Sequence, residues 1–175
     1  MYFPAAWCIK YMGGDVIEQN FSLIPIQMQI AAAMQDLDAC NELSSRFGLA
    51  LTGEQMLRLT EQRFQALKFT GRIEFGEGVL KKLVTVFCDS LYITQQNYEE
   101  TLGELQDIFY YFKNESGDTL SDDELIEAMK SVFDGKAQGS LEYLSGASLE
   151  NLCRIIRGGE VDEYEGSPDE EDYEE

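Results

Sequence analysis

The stretch YEETLGELQDIFYYF, residues 98–112, decides the fold of this chain. Bulky apolar side chains recur in it in steps of 4, 3, 4 and 3, at Tyr98, Leu102, Leu105, Phe109 and Phe112. That spacing places all of them on one face of a helix with about 3.6 residues per turn. The sequence therefore predicts a long helix over residues 94–113 whose apolar face lies in a protein core.

The residues around this stretch favour further helices. No proline occurs between Pro25 and Pro168, so this span lacks the residue that breaks a helix interior. The apolar spacing and the glycines that would end helices predict one long or two shorter helices over residues 26–47. They predict further helices over residues 52–71, 79–88, 121–135, 140–144 and 148–157. We expect an all-α fold with a single compact domain of five to seven helices over residues 23–158. The β-like residues 72–75, between glycines, leave room for one short β-hairpin.

Two sequence patterns mark where helices begin. Thr52 with Gln55, and Ser121 with Glu124, have the spacing of capping boxes. In each, the hydroxyl is expected to accept a hydrogen bond from the backbone of the residue three positions later.

The two ends of the chain differ from its middle. Residues 1–22 have no clear period and are predicted to be a poorly ordered N-terminal arm. Residues 159–175 are predicted to be a disordered acidic tail, because residues 160–175 hold ten acidic side chains and no basic one. The N-terminus lacks the pattern of a signal peptide, and no apolar run reaches the about 20 residues of a membrane span. These features predict a cytoplasmic protein.

The net charge limits the partners of the protein. The whole chain carries −20, and residues 1–159 alone still carry −10, from 23 acidic and 13 basic side chains. Residues 1–159 and the acidic tail should both repel the phosphates of nucleic acids and of anionic membranes. We therefore expect a protein partner, of unknown identity, and neither a nucleic acid nor a membrane.

The chain contains no histidine. This excludes nucleophile–histidine pairs and histidine metal ligands, so no catalytic residue, metal ligand or cofactor is predicted. The four cysteines, Cys8, Cys40, Cys88 and Cys153, lie too far apart for a CxxC motif. They are expected to be thiols that pack as small apolar side chains.

Carboxylate chemistry remains as an alternative. Residues 104–107 have the pattern ExxD and residues 123–127 the pattern DExxE, and carboxylates three apart share a helix face. Helical nucleotide pyrophosphatases hold Mg²⁺ on EExxE followed by ExxD, but here the order is reversed. A metal-dependent hydrolase would use the carboxylates of Glu100, Glu104, Asp107, Glu124 and Glu127. It would need at least three of them around one point, and the apolar spacing instead favours a solvated face.

The sequence matches neither a calcium-binding loop nor a P-loop. Counted from Ser116, the acidic loop puts Leu120 at the fifth position of a calcium loop and Ser121 where glycine is required. The glycine-rich residues 71–78 lack the Gly-Lys-Ser/Thr of a P-loop. Residues 71–78 are therefore interpreted as an interhelical turn, with an arm that adds to a partner as the functional alternative.

Residues 71–154 resemble an uncharacterised family of short bacterial proteins, a domain of unknown function. The matching words are GRIEFGEGVLKKL (71–83), FYYFKNES (109–116), LSDDELIEAM (120–129) and GSLEYLSG (139–146). The resemblance implies a bacterial cytoplasmic protein and brings no activity, ligand or catalytic residue.

Together these observations favour a non-enzymatic interaction or regulatory protein. Phe109, Tyr110, Tyr111 and Phe112 occupy four successive positions, which span more than one helix face. At least one of Tyr110 and Tyr111 is therefore predicted to be exposed or to line a groove, as part of a partner surface. Besides the hydrolase, a second alternative is an acidic decoy that mimics DNA and binds a basic protein.

Overall fold

Helices form most of the described chain, and the predicted all-α fold is confirmed. The computed structural model describes residues 26–74 and 78–158. Within these residues lie seven α-helices and one short 3-10 helix, Ser45–Phe47. The α-helices are α1 (Ile26–Ser44), α2 (Gly53–Thr70), α3 (Val79–Phe87), α4 (Tyr98–Glu115), α5 (Asp122–Asp134), α6 (Leu141–Gly146) and α7 (Leu149–Ile156). The predicted N-terminal arm and acidic tail lie outside the described residues.

The helix α4 lies at the centre of the fold, because it packs against α2, α3, α5 and α6. Its predicted apolar face is confirmed as core. The five side chains of that face are all buried, and those of Leu102, Leu105 and Phe112 have no exposed surface. The helix α1 packs on α2 and α3, while α7 packs on α5.

Both predicted capping boxes are present. The Thr52 hydroxyl accepts from the Gln55 backbone N–H at 3.3 Å, and the Gln55 side chain accepts from the Thr52 N–H at 2.8 Å. Ser121 and Glu124 repeat this exchange at the start of α5. These bonds satisfy backbone donors that the first turn of a helix would otherwise leave without a partner.

The start of α4 differs from its prediction by four residues. Residues 94–97 form a turn in which the Asn97 side chain accepts from the Thr94 backbone N–H at 2.7 Å. The Gln95 side chain binds both the N–H and the carbonyl of Ala50, at 2.8 and 2.9 Å. These contacts hold the chain out of the helix until Tyr98.

Two of the predicted thiols, Cys40 and Cys88, are buried in the core, and Cys153 is half-buried. Cys8 lies outside the described residues. Each helix in the described part of the chain is too short or too polar to cross a bilayer.

Candidate functional site

The connection between α2 and α3 leaves its helix in a fixed direction. Gly71 follows the last turn of α2 with a φ of +67°, a backbone conformation that glycine adopts without strain. The Arg72 backbone N–H then donates to the Leu67 carbonyl at 3.0 Å. This pattern is that of a Schellman motif, which satisfies carbonyls at a helix C-terminus. It aims residues 72–74 along the C-terminal half of α4.

Two side chains of this connection then bind α4 and its following loop. The Arg72 guanidinium donates to the Asn114 side-chain oxygen at 2.7 Å and forms an ion pair with Asp118. Only 20% of the Arg72 side chain is exposed. One charged side chain of the connection therefore points inward.

Glu74, two residues later, makes the second attachment. Its carboxylate accepts from Arg63 Nε at 2.6 Å and from the Tyr110 hydroxyl at 2.5 Å. The side chains of Glu74 and Arg63 are mostly buried. The pKa of the Tyr110 hydroxyl is raised above its usual range, chiefly because the hydroxyl is buried and secondly because the Glu74 carboxylate is negatively charged. Gly78 leaves space for this pair, since a Cβ there would lie 2.9 Å from the Arg63 guanidinium. Residues 72–74 of the connection are thus held to α2 and α4 by charged hydrogen bonds.

The apolar side chains of the same region point outward. Ile73, between the two attached residues, is 70% exposed, and Phe69 at the end of α2 is 93% exposed. Tyr111, which lies on α4 between the contact positions of Glu74 and Arg72, is 57% exposed. Phe69, Ile73 and Tyr111 are the residues for which we propose partner binding, and we call them the partner surface. Residues 72–74 therefore reverse the usual arrangement, in which apolar side chains are covered and charged ones meet water.

Tyr110 and Tyr111, which were predicted from the sequence to include an exposed residue, differ in their exposure to water. Tyr111 is exposed, as the helical period required for at least one of them, while Tyr110 is only 3% exposed. Tyr110 therefore belongs to the attachment of the connection, and Tyr111 alone is available at the surface. No strand is formed by residues 72–74, and Phe75 lies outside the described residues.

The five carboxylates of the hydrolase alternative all lie on exposed positions, at Glu100, Glu104, Asp107, Glu124 and Glu127. Glu124 is engaged in the capping box of α5, and Asp107 accepts from Gln62 at 2.9 Å. Desolvation raises the pKa of Asp107. No three acidic or cysteine side chains of the described residues come together as metal ligands. The geometry therefore does not gather these carboxylates into a metal centre.

Two lysines of the chain neutralise carboxylates in the first turn of α5. Lys113 Nζ donates to the Leu120 carbonyl at 2.5 Å and lies 2.8 Å from an oxygen of Asp122. Lys82 Nζ lies 2.7 Å from Asp123. The carboxylates of Asp122 and Asp123 are thus bound by ammonium groups of the chain itself.

Sequence reasoning missed two residues of the partner surface. Phe69 lies about 200° around α2 from the buried Leu67, so helical periodicity could have identified it as exposed. The exposure of Ile73 depends on long-range contacts of its neighbours, which no local pattern indicates.

The comparisons with known proteins give a family and no activity. The model of a family of unknown function (DUF6323) matches residues 36–162. The matched residues include α2 to α7 and the whole partner surface. No curated protein and no solved structure matches the chain.

Proposed function

Because the chain belongs to the family of unknown function DUF6323, whose membership brings no activity, we propose a function from its surface. The protein is a non-enzymatic interaction or regulatory protein of the bacterial cytoplasm. It binds a partner protein through Phe69, Ile73 and Tyr111.

One observation supports this proposal above the others. The connection between α2 and α3 is attached through Arg72 and Glu74, yet the side chain between them is exposed to water. An unattached loop could turn Ile73 inward, but these two attachments hold it outward. Exposed large apolar side chains on a fixed backbone are a typical feature of protein–protein contacts, since they bury area with little loss of conformational entropy.

The charge of the chain indicates the kind of partner. With −20 overall, the protein would attract a partner that has basic residues around an apolar contact area. The same charge disfavours nucleic acids and anionic membranes. The carboxylate alternative has less support, because its five side chains are exposed and one of them caps a helix.

Site-specific cross-linking tests the proposal. A photoreactive residue is placed at Ile73 and, as a matched control, at Leu91, which is 93% exposed and outside the partner surface. In the native lysate we expect one partner protein to cross-link from position 73 and not from position 91. The same products from both positions, or none from position 73, would contradict the proposal.

Substitution then tests the energetics. Phe69→Gln combined with Ile73→Gln should weaken binding of the isolated partner at least about tenfold, because each buried large apolar side chain contributes about 1.5–3 kcal/mol. Circular dichroism should be unchanged, since both side chains are exposed. Leu91→Gln is the control and should leave the affinity unchanged.

A further inference from the structure

The side chains of residues 72–74 alternate in direction. Arg72 contacts α4 and the loop after it, and Glu74 contacts α2 and α4, while the side chain of Ile73 between them is exposed. A period of two residues is typical of an extended strand, because successive side chains of a strand point to opposite faces. This part of the connection therefore has the side-chain pattern of a strand without a neighbouring strand.

The contact positions on α4 agree with an extended backbone. Arg72 binds Asn114, and Glu74 binds Tyr110, which lies four residues earlier in the helix. Four helical residues rise about 6 Å, and two residues of a strand span about 6.6 Å. Residues 72–74 therefore run extended and antiparallel to the last turns of α4.

The backbone of Ile73 is unpaired. Its N–H and carbonyl bond no residue that the structure describes, whereas the Arg72 N–H donates to the Leu67 carbonyl in the turn after α2. In an antiparallel pair of strands, one residue can exchange both of its backbone hydrogen bonds with the residue opposite. An extended segment with unpaired backbone groups is a template for a further strand. Ile73 thus presents both a donor and an acceptor beside an exposed apolar side chain.

The charged side chains around this backbone are mostly acidic. Asp107 and Glu115 lie one helical turn before and after Tyr111, and both are exposed. Of the basic side chains that the structure describes in this part of the sequence, Lys68 alone is exposed, since the others are held in ion pairs. A segment that binds here therefore gains from basic residues.

We propose that the partner binds by β-augmentation, in which an extended segment of the partner pairs with Ile73 as an added strand. Ile73 and the partner residue opposite exchange two backbone hydrogen bonds. The apolar side chain of that residue covers Ile73, and basic side chains beside it meet Asp107 and Glu115. This inference rests on the proposed function, because it states how the partner surface holds its partner.

The backbone N–H of Ile73 is the group that distinguishes strand addition from other contacts. Replacing Ile73 by the corresponding α-hydroxy acid turns its amide into an ester, which removes the N–H and keeps the side chain. The matched control is the same replacement at Leu91, which is 93% exposed and whose N–H also bonds no described residue. Circular dichroism should be unchanged in both esters, because neither N–H supports the fold.

The probe is a library of random short peptides displayed on phage and selected on the full-length protein. We expect the enriched peptides to carry apolar residues at alternate positions with lysine or arginine around them. The ester at position 73 should weaken the binding of an enriched synthetic peptide about two- to tenfold, which corresponds to one hydrogen bond. The ester at position 91 should leave the affinity unchanged, and Phe69→Gln combined with Ile73→Gln should reduce it.

Strand addition and the partner surface can fail separately. Strand addition is overturned, and the partner surface stands, if the ester at position 73 binds as wild type does while the double variant loses affinity. The same holds if the enriched peptides show helical instead of alternating spacing. If no peptide is enriched, strand addition is overturned and cross-linking from position 73 decides the proposed function. Peptides that bind the ester and the double variant as tightly as wild type would overturn both proposals.

Discussion

Gln106, on the central helix α4, is the buried side chain least matched to its surroundings. It has no exposed surface, and neither atom of its side-chain amide has a hydrogen-bond partner. A buried polar group left without partners costs about 1–3 kcal/mol, and an apolar replacement of similar shape removes that cost. Gln106→Met should therefore raise the free energy of unfolding by about 1 kcal/mol, measured by urea denaturation.

Gln62 offers the matched control. Its amide donates to the Gly103 carbonyl at 3.2 Å and to Asp107 at 2.9 Å. Gln62→Met should lower the free energy of unfolding, because it removes bonds that are made. If Gln106→Met were as destabilising as Gln62→Met, Gln106 would have partners that this structure does not show.

The ionisation of Tyr98 makes the free energy of unfolding depend on pH in the alkaline range. Burial raises the pKa of Tyr98 to about 12, with the nearby Ser44 hydroxyl acting in the opposite direction. In the unfolded chain its pKa is about 10. Between these values the unfolded state loses the proton while the folded state keeps it, so rising pH favours unfolding. The contribution is complete below about pH 10 and is lost towards about pH 12, amounting to about 2–3 kcal/mol.

Tyr98→Phe should remove this part of the pH dependence. Denaturant unfolding at a series of alkaline pH values should show a shallower loss of stability in the variant than in wild type. Tyr143→Phe is the control, since Tyr143 is exposed and its substitution should preserve the wild-type slope. Equal slopes for wild type and Tyr98→Phe would show that Tyr98 does not titrate with unfolding.

At the scale of the element, the capping box of α2 tests how far local sequence determines a helix start. Thr52→Ala removes the hydroxyl that accepts from Gln55, and should lower the free energy of unfolding by about 1 kcal/mol. Thr85→Ala is the control within α3, because the Thr85 hydroxyl only donates to the Lys81 carbonyl one turn earlier. Thermal or urea unfolding that fails to separate the two variants would contradict the prediction.

The attachment of the α2–α3 connection should contribute more than an exposed ion pair. Glu74→Ala leaves the largely buried Arg63 guanidinium without its carboxylate and the Tyr110 hydroxyl without an acceptor. We expect a loss of roughly 2–4 kcal/mol, below the about 3–5 kcal/mol of fully buried pairs. Glu54→Ala, which removes an exposed partner of Arg58, should cost far less. Similar losses in urea unfolding would mean that Glu74 does not hold the connection.

These elements show what the sequence could predict. Helices and caps depend on residues three or four positions apart, so periodicity located α2, α5 and both capping boxes. The start of α4 was wrong because Gln95 binds Ala50, 45 residues away. Ile73 was missed for the same reason, since its outward position depends on what Arg72 and Glu74 bind. Contacts between distant residues are invisible to local patterns.

For the whole molecule, the excess of acidic residues leaves two explanations of partner binding. If the protein were an acidic decoy, its charge would carry the affinity, and binding would weaken steeply as salt screens it. If the partner surface carries the affinity, charge mainly accelerates association and apolar burial holds the complex. Ten of the 33 acidic side chains lie in residues 160–175, so the two explanations can be separated by truncation.

A chain ending at Gly159 should keep its partner. Removing the tail halves the net charge from −20 to −10 and leaves Phe69, Ile73 and Tyr111 in place. We expect the truncation to slow association at low salt and to leave the dissociation rate nearly unchanged, measured by surface plasmon resonance with the isolated partner. The Phe69→Gln, Ile73→Gln variant should do the reverse, because lost apolar burial speeds dissociation. If truncation instead abolished binding while the double variant retained it, the tail would be the binding element and the attached connection only a structural feature.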